Sequence, residues 1–148
     1  MNLEPITLHE NKAKGIFASP ECQQLLHMYD DFYPKVGFAM PWVGYFVVCQ
    51  NQVVGSCGFV GQPREGKVEI GYWTFKAFEG QGIASFACKE LIAIAYHADP
   101  GLTIVAKTAP EHNASTKILT NNKFVFTEIV QDDEIGDAWL WVHQKGKG

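Results

Sequence analysis

The sequence predicts an α+β fold: a mixed, largely antiparallel sheet with one parallel junction, covered by helices. Three observations predict it. Runs that alternate in side-chain character recur between Gly44 and Phe75 and again between Phe124 and His143, the period-2 signature of strands. From Ile83 to Tyr96 the apolar residues instead recur at helical spacing. A further strand, Leu102 to Thr108, follows that helix, and a strand–helix–strand unit closes as a right-handed crossover, which makes its two strands parallel.

In chain order, residues 2–8 form a first short strand, which Pro5 confines to a sheet edge or a strand start. Ser19-Pro20-Glu21 supplies an N-cap serine, a proline at the first helical position and an acid in the first turn. The helix it opens is expected to run to about Phe32, with Cys22, Leu25, Leu26 and Tyr29 as its apolar stripe and Tyr33-Pro34-Lys35-Val36-Gly37 as its end. The aromatics around it (Tyr29, Phe32, Tyr33, Phe38, Trp42) are expected mostly in the core. Gly44–Cys49 and Val53–Val60 read as a hairpin turning at Asn51. After the polar turn Gln62–Gly66, the strand from Lys67 to Phe75 completes a three-stranded meander.

Glu79-Gly80-Gln81-Gly82 then separates this strand from the apolar helix, which His97-Ala98-Asp99-Pro100-Gly101 stops. Asn113–Asn122 reads as a short helix with Asn113 as N-cap. The strand Phe124–Val130, the acidic turn Gln131–Gly136 and the strand Ala138–His143 end the fold. The tail 145–148 is expected to fray.

A chain of 148 residues with 47% hydrophobic and 19% charged residues is expected to be one domain, 1–148. Its net charge of −4 and the absence of a basic run argue against a nucleic-acid partner. No apolar run reaches the roughly 18–20 residues of a membrane span. The amino terminus lacks the basic start and apolar run of a signal peptide, so a cytoplasmic location is expected. Cys22, Cys49, Cys57 and Cys88 show no C-x-x-C spacing and are expected as buried free thiols. The histidines show no metal-ligand spacing, so no metal is expected.

Two glycines between a strand and a helix let backbone approach a ligand closely, and the helix start offers unpaired N–H groups at a positive dipole end. That is a place to hold a phosphate. A Walker loop would need Lys-Ser or Lys-Thr after the glycines, and neither is present. A dinucleotide fingerprint would need Gly or Ala where Ser85 stands, and a strand that opens a βαβαβ half rather than closing a meander. A tight turn with glycines serving geometry alone stays open on this stretch by itself.

The segment Glu79-Gly80-Gln81-Gly82-Ile83-Ala84, together with Pro110-Glu111-His112-Asn113-Ala114-Ser115-Thr116-Lys117-Ile118-Leu119 and the strand text Glu69-Ile70-Gly71-Tyr72-Trp73, resembles the GNAT superfamily of acetyl-CoA-dependent N-acetyltransferases. The likeness runs from about Val43 to the end and is to the branch that acetylates ribosomal-protein N-termini. The family pattern differs at four places: Glu79 stands for Arg or Gln, His112 for Asn, Lys123 for Gly, and Leu119 where several relatives carry a tyrosine acid.

The resemblance implies helices on both faces of the sheet and a splayed parallel strand pair. It implies acetyl-CoA as co-substrate, its pyrophosphate on the amides of Gly80, Gln81, Gly82, Ile83 and Ala84. The pantetheine arm would lie along Tyr72, Trp73 and Thr74, with a main-chain N–H near Trp73 or Thr74 on the thioester oxygen, and His112 or Asn113 beside the cofactor. Glu69, an acid in mid-strand, is the candidate general base. Ser115 is the candidate proton donor to the leaving thiolate, with His112 as an alternative acid or base. The acceptor would be a small-molecule amine or a peptide N-terminus, selected by residues 19–42 and the 131–136 turn. Many relatives dimerise, which makes a homodimer one implied assembly. A non-catalytic acyl-CoA-binding module with the same fold is the alternative function.

Overall fold

The computed structural model describes residues 1–7 and 19–145. Residue 8 of the first expected strand and the expectation for residues 146–148 therefore lie outside the described residues. The chain forms β1 (Asn2–Pro5), α1 (Pro20–Val36), β2 (Gly44–Cys49), β3 (Gln52–Phe59), β4 (Lys67–Thr74), α2 (Ile83–Ala98), β5 (Thr103–Thr108), α3 (Ala114–Asn121), β6 (Phe124–Asp132) and β7 (Gly136–His143). The strands make one sheet in the order β1-β2-β3-β4-β5-β7-β6. Every neighbouring pair is antiparallel except β4 and β5. The α+β class, the parallel crossover and the edge placement of the Pro5 strand are as the sequence predicts.

Register sorts the side chains. Tyr45, Val47, Cys57, Val68, Ile70, Ile104 and Ala106 share a core with Ile83, Ala87, Cys88, Leu91 and Ala95 of α2 and Leu119 of α3. The i, i+4 series Ile83, Ala87, Leu91, Ala95 is the apolar face read from the sequence. On the other face, Phe46, Val48, Val53 and Phe75 bury Cys22 and Leu25 of α1. There Tyr29 lies over Gly44 so closely that a Cβ would come within 2.3 Å of its ring, so only glycine fits. Helices thus cover both faces.

The first helix is longer than the sequence reading gives it. It passes through Pro34 to Val36 instead of ending near Phe32. Pro34 costs one backbone bond, but buried Tyr33 ties the helix end down: its hydroxyl donates to the Ile6 carbonyl at 2.7 Å and accepts from the Gly44 N–H at 3.1 Å. The Gly37 N–H then closes the helix on the Tyr33 carbonyl at 2.7 Å. The hairpin between β2 and β3 turns through Gln50 and Asn51, both at positive φ, as a two-residue turn of right-handed sheet twist requires. Strands β6 and β7 run longer than expected, leaving only residues 133–135 between them. The short 3₁₀ turn Lys76–Phe78 is not foreseen from the sequence. Among the described residues no helix is long and apolar enough to cross a membrane.

Candidate active site

The site begins where the parallel pair comes apart. Pairing of β4 with β5 runs from Lys67↔Thr103 to Ile70↔Ala106 and stops, although both strands continue, to Thr74 and Thr108. The bonds Val60 N–H to Glu69 carbonyl (2.8 Å) and Phe75 N–H to Val54 carbonyl (3.0 Å) fix the alternation along β4. Gly71 and Trp73 turn their main-chain groups towards β3, while Tyr72 and Thr74 turn theirs towards the gap. Among the described residues, the main-chain N–H groups of Tyr72 and Thr74 have no ladder partner. Of the two amides named from the sequence, that of Thr74 faces the gap and that of Trp73 faces β3.

A cavity of about 420 Å³ opens at this gap, lined by Tyr72, Trp73, Thr74, Glu79, Gly80, Gly82, Ile83, Ala84, Ser85, Ala114, Ser115 and Ile118. Gly80 (φ +81°) and Gly82 (φ +76°) are left-handed, and a Cβ on either would meet nothing within 4 Å. Glycine is needed there for backbone angle, and the space above stays open. Gly82 caps α2, and its carbonyl accepts from the Phe86 N–H at 3.0 Å. The amides of Ile83, Ala84 and Ser85, in the first turn, have no acceptor within the helix. The first turn carries no acid. Among the described residues, exposed Glu79 at the rim is the one carboxylate lining the cavity.

Ser115 and Tyr72 meet across this cavity. The Tyr72 hydroxyl donates to the Ser115 carbonyl at 3.0 Å and lies 3.4 Å from Ser115 Oγ. Burial pushes the Tyr72 phenol up to about 12, so it keeps its proton through the neutral range. The sequence reading credits Tyr72 with a place beside the cofactor but misses this pairing, since residues 43 positions apart give no local signal. Neither His112 nor Asn113 lines the cavity. The His112 ring lies edge-on to Trp139, centroids 5.0 Å apart. Asn113 caps α3 in a reciprocal box, its Oδ1 accepting from the Thr116 N–H at 3.2 Å and Thr116 Oγ1 accepting from its N–H at 2.9 Å. Gln81 is exposed and does not line the cavity.

Glu69 lies on the α1-facing side of β4, two residues before Gly71. Lys107 Nζ is 3.4 Å from its Oε1 and 3.8 Å from Asp132 Oδ2. Burial raises the Glu69 carboxyl above its ordinary range, Lys107 offsets part of that rise, and the Asp132 charge adds a little to it. A half-buried carboxylate whose burial favours the protonated form is a better proton acceptor than an ordinary surface glutamate.

A second cavity, of about 430 Å³, lies on that same face. Its walls come from Leu25, Met28, Tyr29 and Phe32 of α1, its floor from β3 and β4 including Gly58, Gly71 and Trp73, and its rim from Glu134. Tyr29 and Phe32, expected mainly as core, therefore also wall an open space. The two cavities share Tyr72 and Trp73. Cys57 and Cys88 are buried free thiols held protonated, with burial the main cause. Among the described residues no group of three or more His, Cys, Asp or Glu is placed to hold a metal ion.

Comparison with known proteins places this geometry. The family model described as "Acetyltransferase (GNAT) domain" matches residues 8–125. A curated relative, an uncharacterized N-acetyltransferase p20 of Bacillus licheniformis, is 34% identical over 85 residues, 57% of this chain and 48% of the relative, so the match spans about half of that protein's length. A ribosomal L7/L12 alpha-N-protein acetyltransferase in complex with coenzyme A superposes with a TM-score of 0.63 at 23% identity, covering 83% of this chain and 71% of that one. The ribosomal-protein-alanine N-acetyltransferase from Brucella melitensis gives 0.66 at 17% identity, covering 96% and 98%. At such identities these structures share the fold.

Proposed function

The chain belongs to the acetyltransferase (GNAT) domain family, and from that premise we propose that it is an acetyl-CoA-dependent N-acetyltransferase acting on a primary amine, of a small molecule or at a peptide or protein N-terminus, by direct attack in a ternary complex. The observation that carries the reading is the meeting of two cavities across Tyr72 and Trp73, where β4 leaves β5. One cavity has the features of a coenzyme A site and the other opens on the Glu69 face.

The residues fit the cofactor. Amides of Gly80 to Ser85 and the positive end of α2 would hold the pyrophosphate. The unpaired main-chain edge at Tyr72 and Thr74 suits an amide-bearing pantetheine arm, which can add to β4 as a strand would. Acetyl-CoA supplies an activated thioester: the amine nitrogen bonds to its carbonyl carbon, the C–S bond breaks, and coenzyme A leaves as the thiol.

Each remaining task falls to a named group. An alkylamine is mostly protonated at neutral pH, so a base must take its proton before attack, and Glu69, directly or through water, is that base. The Thr74 or Tyr72 amide would donate to the thioester oxygen as negative charge develops on it. Ser115 Oγ, which donates to the Tyr72 hydroxyl at 3.4 Å, would turn its proton to the departing sulfur. Protonated, buried thiols make poor nucleophiles, which favours direct attack over an acetyl-cysteine intermediate.

The test combines binding with product identity. Acetyl-CoA is expected to raise the melting temperature, and mass spectrometry of an amine panel incubated with it should find one acetyl group on nitrogen. Failure of acetyl-CoA to bind would defeat the reading. Tight binding with no acetylated amine would leave a coenzyme A-binding module instead.

A further inference from the structure

We propose that the acceptor is a primary amine carried close to a large apolar group, an arylalkylamine or a peptide whose first residue is bulky and apolar. This inference rests on the acetyltransferase reading above and goes on to name its substrate class.

The second cavity carries the argument. Met28, Val60 and Trp73, 52%, 47% and 49% exposed, all border it, so large apolar side chains that folding leaves uncovered gather at one opening. Leu25, Tyr29 and Phe32 continue that apolar wall. The floor has been kept low: Gly71 has ordinary backbone angles, and a Cβ there would meet nothing within 4 Å. Glycine in mid-strand lowers strand propensity and is needed here neither for a turn nor for a close approach. What it does is leave depth for a ligand group.

Charge orients the occupant. Among the described residues, Glu134, at the rim, is the one charged residue lining the cavity. Asp132 and Asp133 adjoin it in the chain, and Asp30 and Asp31 stand on the exposed side of α1. An apolar bowl with a glutamate at its rim complements a cation attached to a hydrophobic body. It offers a polyamine or a serine-first peptide little, since most of their surface would have to give up water against apolar walls.

The experiment pairs steady-state acetylation with calorimetric binding in the presence of coenzyme A. Its panel is phenethylamine, Phe-first and Leu-first peptides, Ala-first and Ser-first peptides, and spermidine. The proposal expects at least one apolar class to exceed the polar amines about 10-fold or more in kcat/KM, and to bind where they do not. Turnover of phenethylamine identifies a small-molecule acceptor, whereas turnover confined to Phe-first and Leu-first peptides identifies a peptide terminus. Equal or better use of Ser-first peptide or spermidine overturns this inference while leaving acetyl transfer intact. So does the absence of calorimetric binding by every apolar amine while acetyl-CoA still binds. Loss of acetyl-CoA binding itself would strike the underlying reading. Gly71→Val should fill the floor and raise KM for the bulky amine about 10-fold. Met28→Lys, at an exposed helix position that folding does not need, should also weaken binding of the bulky ammonium. If neither variant moves KM, the cavity is not the acceptor site.

Discussion

Glu69 makes the sharpest prediction at the scale of single residues. A base must be ionised to act, and burial raises this carboxyl above its ordinary range, so the acidic limb of the kcat/KM–pH profile should lie above that range. Lys107 favours the ionised form, so Lys107→Met should move the limb to still higher pH. Glu69→Gln should remove the limb and cost on the order of 10²-fold in rate. An unchanged profile in both variants would exclude Glu69 as the base. The acid itself was legible in the sequence, because a charged residue in mid-strand stands out. Its pairing with Lys107 was not, since the register of two strands joined by a crossover helix sets it.

Among the elements, the strand–turn–helix from β4 into α2 was the most legible. Alternation, a glycine turn and the i, i+4 series are local signals, and each is local in the fold as well. Gly82 takes a left-handed angle with open space above it, so Gly82→Ala should cost about 1 kcal/mol of stability through backbone strain alone. Gly82→Asn should cost less, because asparagine tolerates that angle. Denaturant unfolding reads both, and equal losses in the two variants would contradict the strain account. The end of α1 departs from its local sequence signal for a tertiary reason. Pro34 is a local stop signal, but Tyr33 is pinned by Ile6 and Gly44 from distant segments, and the helix continues through it. His112 stands where the family pattern has Asn, and its ring lies against Trp139 of β7.

At the scale of the whole molecule, the sheet does the assembling. It brings the splayed β4–β5 pair, the α2 amino terminus and Ser115 to one cavity, and α1, Gly71 and Glu134 to another, with Tyr72 and Trp73 common to both. The meander and the parallel crossover are legible along the chain because their signals are local, whereas the place of β7 between β5 and β6 is not. Nor is the second cavity, because its walls come from segments some hundred positions apart that meet only once the sheet has closed. Direct attack across Tyr72 and Trp73 is the central claim, and one measurement tests it: initial rates of thiol release over a grid of acetyl-CoA and amine concentrations. The account predicts release that depends on the amine, with intersecting double-reciprocal lines, as a ternary complex requires. Parallel lines, or release indifferent to the amine, would contradict it.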